Sequence, residues 1–281
     1  MISVIICSRK SNIDYYLKSN IENTIGCKHE IIWIDNSDNK FSIFEAYNMG
    51  IKKAQYNILC FMHEDIYFHS KGWGNICKNE FDNNIDVGML GIIGTYYISE
   101  LATSWFHSSQ LTCGEIIQGE YNNGKYITKK ISYPAKNSIN NVCAIDGLWM
   151  CIKKDLFTEH NIHFNEKDYR GFHFYDMDIS MQVILTGFKI SIPNNIHIEH
   201  KSIGIPNDIY YDNCLIFHSK YHNYLPLYTN PYIDKISYKE YNLERVKTLC
   251  QKCKQNYIYN KMLNFFPYKL TTKILKLFKI L

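Results

Sequence analysis

The chain is expected to fold as an α/β protein with a mostly parallel central sheet flanked by helices, on the strength of three observations. Short apolar runs alternate with segments of helical period from Ile2 to Met62, the order in which parallel strands are joined by right-handed crossovers. Each run ends in a polar cluster, Ser8-Arg9-Lys10-Ser11-Asn12, Asp35-Asn36-Ser37 and His63-Glu64-Asp65 in turn. Polar groups are thereby placed along the carboxyl edge of the sheet, where ligands of such folds bind. Finally, 281 residues that are 46% hydrophobic and 21% charged suffice for one large core with an appendage.

Composition narrows the function. A net charge of +4 is small for this length, and no basic stripe precedes the C-terminal segment, so nucleic acid is not an expected partner. The ten cysteines are scattered, and the Cys250/Cys253 pair lacks a second pair to complete a zinc site. Cys7, Cys60, Cys143 and Cys151 sit in apolar runs as small hydrophobes, which suits a reducing cytosol. Ile2–Cys7 is too short for a signal-peptide core and reads as the first strand; no window reaches membrane-spanning length.

The elements follow in order. Ile2–Cys7, Glu30–Ile34 and Cys60–Met62 read as strands, with Ser42–Ala54 helical, which brings Ser8, Asp35 and His63–Asp65 to one edge. On residue type alone, His63-Glu64-Asp65 reads as a metal and nucleotide-phosphate site or as an acidic turn, and Asp35 as a ligand or a turn former. Val87–Ile93 reads as one strand, and Glu115–Tyr121 with Lys125–Ile131 as a hairpin about Asn122-Asn123-Gly124, a type I′ turn sequence. Trp105, Phe106 and His107, just before it, either rim an acceptor pocket or pack. Asn141–Ile152 reads as a strand interrupted by Asp146-Gly147, where a polar Asp needs a partner or a task. Tyr175-Asp176-Met177-Asp178 opens a helix that stops at Gly187, so both carboxylates serve as caps or in chemistry. Ile196–Ser202 follows a further strand, and its alternating His197 and Glu199 read as a solvated strand face, with His200 next to them. Lys269–Leu281 forms a basic amphipathic helix that suits an anionic membrane surface or docking on protein.

Two stretches carry a family resemblance. Ala46-Tyr47-Asn48-Met49-Gly50-Ile51-Lys52-Lys53-Ala54, followed by Leu59–Asp65, resembles the Ala-Arg-Asn-x-Gly-Ile-x-x-Ala…Phe-Leu-Asp-x-Asp-Asp pattern of family-2 glycosyltransferases, with Tyr47 for the Arg and His63 for the first Asp. Gly171-Phe172-His173-Phe174-Tyr175-Asp176-Met177-Asp178 resembles the acidic start of the helix that carries the base in inverting members. The resemblance implies the GT-A fold, a Rossmann-like nucleotide-sugar-binding domain, over residues 1–205, with residues 206–281 a helical C-terminal extension. It places Mn²⁺ or Mg²⁺ on Asp65 and His200, and the nucleotide on Ser8, Asp35 and Glu64. His63 is open to ribose, metal or packing. It further places the donor sugar on Asp146, Gly147 and Trp149, with Asp176 as general base and Tyr175 and Asp178 beside it.

The implied activity is metal-dependent, inverting transfer from a nucleotide-diphosphate sugar, UDP-sugar favoured, to a glycan or lipid-linked acceptor. The implied setting is surface polysaccharide assembly at the cytoplasmic face of a membrane. A sugar nucleotidyltransferase is the rival enzyme, but it would want a glycine-rich loop after the first strand, which Ser8–Asn12 lacks. A degenerate sugar-nucleotide-binding or glycan-binding module, suggested by His63, would bind nucleotide without needing Asp176.

Overall fold

The structure is a computed structural model that describes residues 1–99, 102–135, 140–202 and 204–229. Strands β1 (Ile2–Ser8), β2 (His29–Asp35) and β3 (Ile58–Met62) are parallel, joined through helices α1 (Tyr15–Thr24) and α2 (Ile43–Lys53). α2 begins with a capping box between Ser42 and Glu45 and ends in Lys52 and Lys53, both matched to the helix dipole. Gly50 lets it lie close on the sheet, since a Cβ there would run into Ile5. Successive residues of β1 face opposite layers: Ile5 packs with Phe44, Tyr47 and Phe61, and Val4 and Ile6 with Met62, Trp73 and Trp149.

The chain continues through β4 (Ile66–Phe68), α3 (Trp73–Asn83), β5 (Val87–Leu90), β6 (Ile93–Thr95) and β7 (Tyr97–Ile98) to the hairpin β8 (Thr112–Asn122) and β9 (Lys125–Tyr133). Asn123 and Gly124 both have positive φ, 50° and 77°, as a type I′ turn requires. Then come β10 (Asn141–Val142), β11 (Ala144–Ile145), β12 (Trp149–Lys153), α4 (Lys154–Thr158), α5 (Tyr175–Leu185), β13 (Lys189–Ser191), β14 (Ile198–His200), α6 (Asp208–Tyr221) and β15 (Leu227–Tyr228).

A seven-stranded sheet has the order β10-β13-β5-β12-β3-β1-β2. Five strands run one way, with β12 and β10 reversed. A second sheet, β11-β6-β8-β14-β4, also carries β9, and β15 pairs with β7. Two expected strands are divided between sheets. Val87–Ile93 breaks at Gly91-Ile92 into β5 and β6, and Asn141–Ile152 becomes β10, β11 and β12, with Asp146-Gly147 the turn before β12. The α/β class read from the sequence holds.

The eight described cysteines are free thiols. Among the described residues no helix is long and apolar enough to cross a membrane. The Cys250/Cys253 pair and the Lys269–Leu281 segment lie outside the described residues.

Candidate active site

The site grows from the end of β3. After Met62 the His63 N–H donates to the Leu148 carbonyl at 2.9 Å, and the chain turns into β4, which pairs antiparallel with β14 so that Ile66 lies opposite His200. The Lys201 N–H closes the turn on the Asp65 carbonyl at 3.0 Å. Half-buried His63, Asp65 and His200 thereby converge, with His63 Nδ1 3.4 Å from His200 Nε2 and Asp65 Oδ1 3.9 Å and 3.6 Å from those two nitrogens. Ligands of one cation at bonds of about 2.1 Å and right angles stand about 3 Å apart, so this triad needs only a small inward movement to hold one. Burial and the neighbouring His200 hold the His63 pKa below its ordinary value, leaving the imidazole neutral with a lone pair to give. Burial pushes Asp65 up, but His200, the Ser202 hydroxyl and His63 outweigh it and keep the carboxyl below its usual range. One carboxylate and two imidazole nitrogens form a donor set that suits Mn²⁺ well and Mg²⁺ less well.

Glu64 faces away from this triad. It accepts from the Ser8 hydroxyl and from Arg9 Nε at 2.9 Å, so Ser8 and Glu64 are partners of each other. Arg9 is the only Lys or Arg side chain, among the described residues, lining the cavity of about 670 Å³ onto which Ser8, His63, Glu64, Asp65, Asp146 and His200 all open.

Asp176 lines the same cavity from the first turn of α5. Its carboxylate accepts the Gly147 N–H at 3.3 Å and its neighbour's N–H, from Met177, at 2.8 Å. Burial first, and the charge of Asp146 second, push its pKa up to about 7, where a carboxylate can take a proton at neutral pH. Asp146 is itself held by the Leu148 N–H at 3.0 Å. Tyr175 stands between the two groups, its hydroxyl 2.6 Å from His63 Nε2. The start of α5 is unusual: Phe174 has φ 69°, in the left-handed region that large side chains avoid, and its ring packs edge-on to Tyr210 and tilted against Phe217 from α6.

Four further residues singled out in the sequence, Asp35, Gly147, Trp149 and Asp178, lie off the cavity wall. Asp178 is 1% exposed and accepts from Gln182, Lys220 and Tyr221 at 2.6, 2.9 and 2.8 Å, a structural knot between α5 and α6. Trp149 is fully buried, edge-on to Trp73. Asp35 is exposed and folds back on the Ser37 N–H at 2.9 Å, while its neighbour Asn36 reaches the cavity. Gly147 contributes space and its N–H. Sequence reasoning did not single out Arg9 or Phe172 as cavity residues, or place His63 with Asp65 and His200 as a triad. A local signal existed only for the His63–Asp65 half of the triad: with one residue between them in a turn, the two side chains can point to the same side, whereas His200 arrives through the β4–β14 pairing.

A curated relative, the streptomycin biosynthesis protein StrF of Streptomyces griseus, is 24% identical over 174 residues, 59% of this chain and 55% of the relative. This chain thus spans about half of that relative's length. Among solved structures, it is similar to GalNAc-T7 with UDP, GalNAc and Mn²⁺ at a TM-score of 0.49 and 11% identity, over 72% of this chain and 44% of that one. It is also similar to the mannosyltransferase PcManGT of Pyrobaculum calidifontis with GDP-Man and Mn²⁺, at 0.43 and 12%, over 78% and 60%. The family model described as "Glycosyltransferase like family" matches residues 3–221, from β1 to the end of α6 and across every cavity residue named above, and the chain belongs to that family.

Proposed function

We propose that the protein is a metal-dependent, inverting glycosyltransferase that moves a sugar from a nucleotide-diphosphate donor to an acceptor hydroxyl. The observation that carries this reading is the pairing, on one cavity, of a cation-binding triad with a carboxylate poised to ionise near neutrality. The cavity's charge supports metal dependence. Glu64, Asp65, Asp146 and Asp176 line it against the single described guanidinium of Arg9, so an anionic diphosphate enters favourably only with a cation.

His63, Asp65 and His200 would hold Mn²⁺ or Mg²⁺, which when bound neutralises charge on the departing diphosphate. Asp176 accepts the proton of the acceptor hydroxyl as that oxygen attacks the anomeric carbon. The new C–O bond forms opposite the breaking bond to the diphosphate oxygen, inverting the centre, and the proton stays on the Asp176 carboxyl. A UDP-sugar donor, a glycan or lipid-linked acceptor, and a place in surface polysaccharide assembly at the cytoplasmic face of a membrane rest on the motif resemblance.

Calorimetric titration of UDP, GDP and dTDP, with and without Mn²⁺, tests the donor site. Tight binding of one nucleotide only with Mn²⁺, lost in His200→Ala, is the expected result. Binding indifferent to Mn²⁺ and to His200 would favour a nucleotide-binding module.

A further inference from the structure

Tyr175 touches a residue of the triad and adjoins the carboxylate base in sequence, and its surroundings give it one orientation. Its ring is 5% exposed, edge-on to Phe44 and to Tyr47 at 6.3 and 5.8 Å. It fills the space that Gly147 leaves, since a Cβ at that glycine would collide with the Tyr175 ring and hydroxyl. The same Gly147 gives its N–H to Asp176. One backbone turn therefore seats both the tyrosine and the base.

We infer that Tyr175 is a positioning residue of the metal centre, holding His63 in the tautomer that offers Nδ1 to the cation. This rests on the metal-dependent reading proposed above. His63 Nδ1 faces His200 and Asp65, and Nε2 faces the Tyr175 hydroxyl at 2.6 Å. A neutral imidazole carries one proton, so a lone pair on Nδ1 requires the N–H at Nε2, and that half-buried N–H requires an acceptor. Tyr175 Oη is in place to accept it. Histidine ligands generally donate their second nitrogen in this way, and loss of the partner costs 10- to 100-fold in metal affinity. Because the tyrosine is seated by the turn that also binds Asp176, the geometry of the ligand and of the base is set together.

The test is a Mn²⁺ titration of the full chain, with free Mn²⁺ followed by electron paramagnetic resonance. Tyr175→Phe keeps the ring and removes the acceptor, and is expected to raise the Mn²⁺ Kd about 10- to 100-fold. Tyr47→Phe is the packing control: its ring neighbours Tyr175, but its hydroxyl is buried without a partner, so its Kd should match wild type. Gly147→Ala, which would displace the tyrosine, should weaken binding as well. Wild-type affinity in Tyr175→Phe beside loss in Asp65→Ala would overturn the role of Tyr175 alone, as would equal weakening in Tyr47→Phe. Failure of the wild type to take up Mn²⁺ would overturn the metal centre and this role with it.

Discussion

The turn after β3 and the first turn of α5 each present an aspartate to the same cavity, and their surroundings drive the two carboxyls in opposite directions. Asp65 sits among imidazoles and is held below its ordinary pKa. Asp176 is half-buried beside a second carboxylate and is raised to about 7. A permanently ionised carboxylate is suited to hold a cation, and one that ionises near neutrality is suited to exchange a proton. The division of labour comes from the neighbours, two histidines against Asp146 and a dry helix start, since the residue type is the same.

Breaking the α5 side should have the largest effect. Asp176→Asn keeps the shape and the Gly147 contact but removes the proton acceptor, so transfer to an acceptor should fall about 10²- to 10⁴-fold. Nucleotide and Mn²⁺ affinity should stay near wild type, and a steady-state assay beside a titration shows whether the two sides separate. Asp178, two residues on, sharpens the comparison from within the helix. Removing it as Asp178→Ala strands Lys220 and Tyr221 and should cost about 2–3 kcal/mol in a denaturant melt, with transfer intact in the folded fraction.

The raised pKa of Asp176 also has a sign for stability. The unfolded chain ionises this group near 3.8 and the folded chain near 7, so the folded state binds the extra proton between them and loses stability as pH rises through that window. Asp176→Asn should therefore be more stable than wild type at pH 8, on the order of 2 kcal/mol once the open side of the group is allowed for, and no different at pH 3. The transfer rate of wild type should rise with pH through about 7. Asp146→Asn removes one of the two causes of the shift, so the midpoint of that rise should move to lower pH.

Much of this layout was legible in the sequence, and the gaps have physical reasons. Apolar runs ending in polar clusters placed Ser8 and His63–Asp65 at one edge because parallel strands share a direction, and Ser42–Ala54 read as the helix between the second and third of them. The sequence could not show that Val87–Ile93 and Asn141–Ile152 change sheets midway, because residues buried on both faces look alike in either sheet. Asp176 and Asp178 both sat in the expected first turn, yet two residues on an α-helix point about 200° apart, so only one could face the cavity. Which one did depended on α6, whose Lys220 and Tyr221 claim Asp178 from more than forty residues away. His63 departed from the motif by type, and its meeting with His200 needed the β4–β14 pairing, a long-range register that no local pattern encodes.

The most direct measurement of the central claim is nucleotide release from a panel of UDP-, GDP-, CMP- and dTDP-sugars, with and without Mn²⁺, for wild type and Asp65→Ala. The account predicts Mn²⁺-dependent release from one nucleotide-diphosphate sugar, abolished by Asp65→Ala. Release that is undiminished without metal, or that survives loss of Asp65, would contradict it.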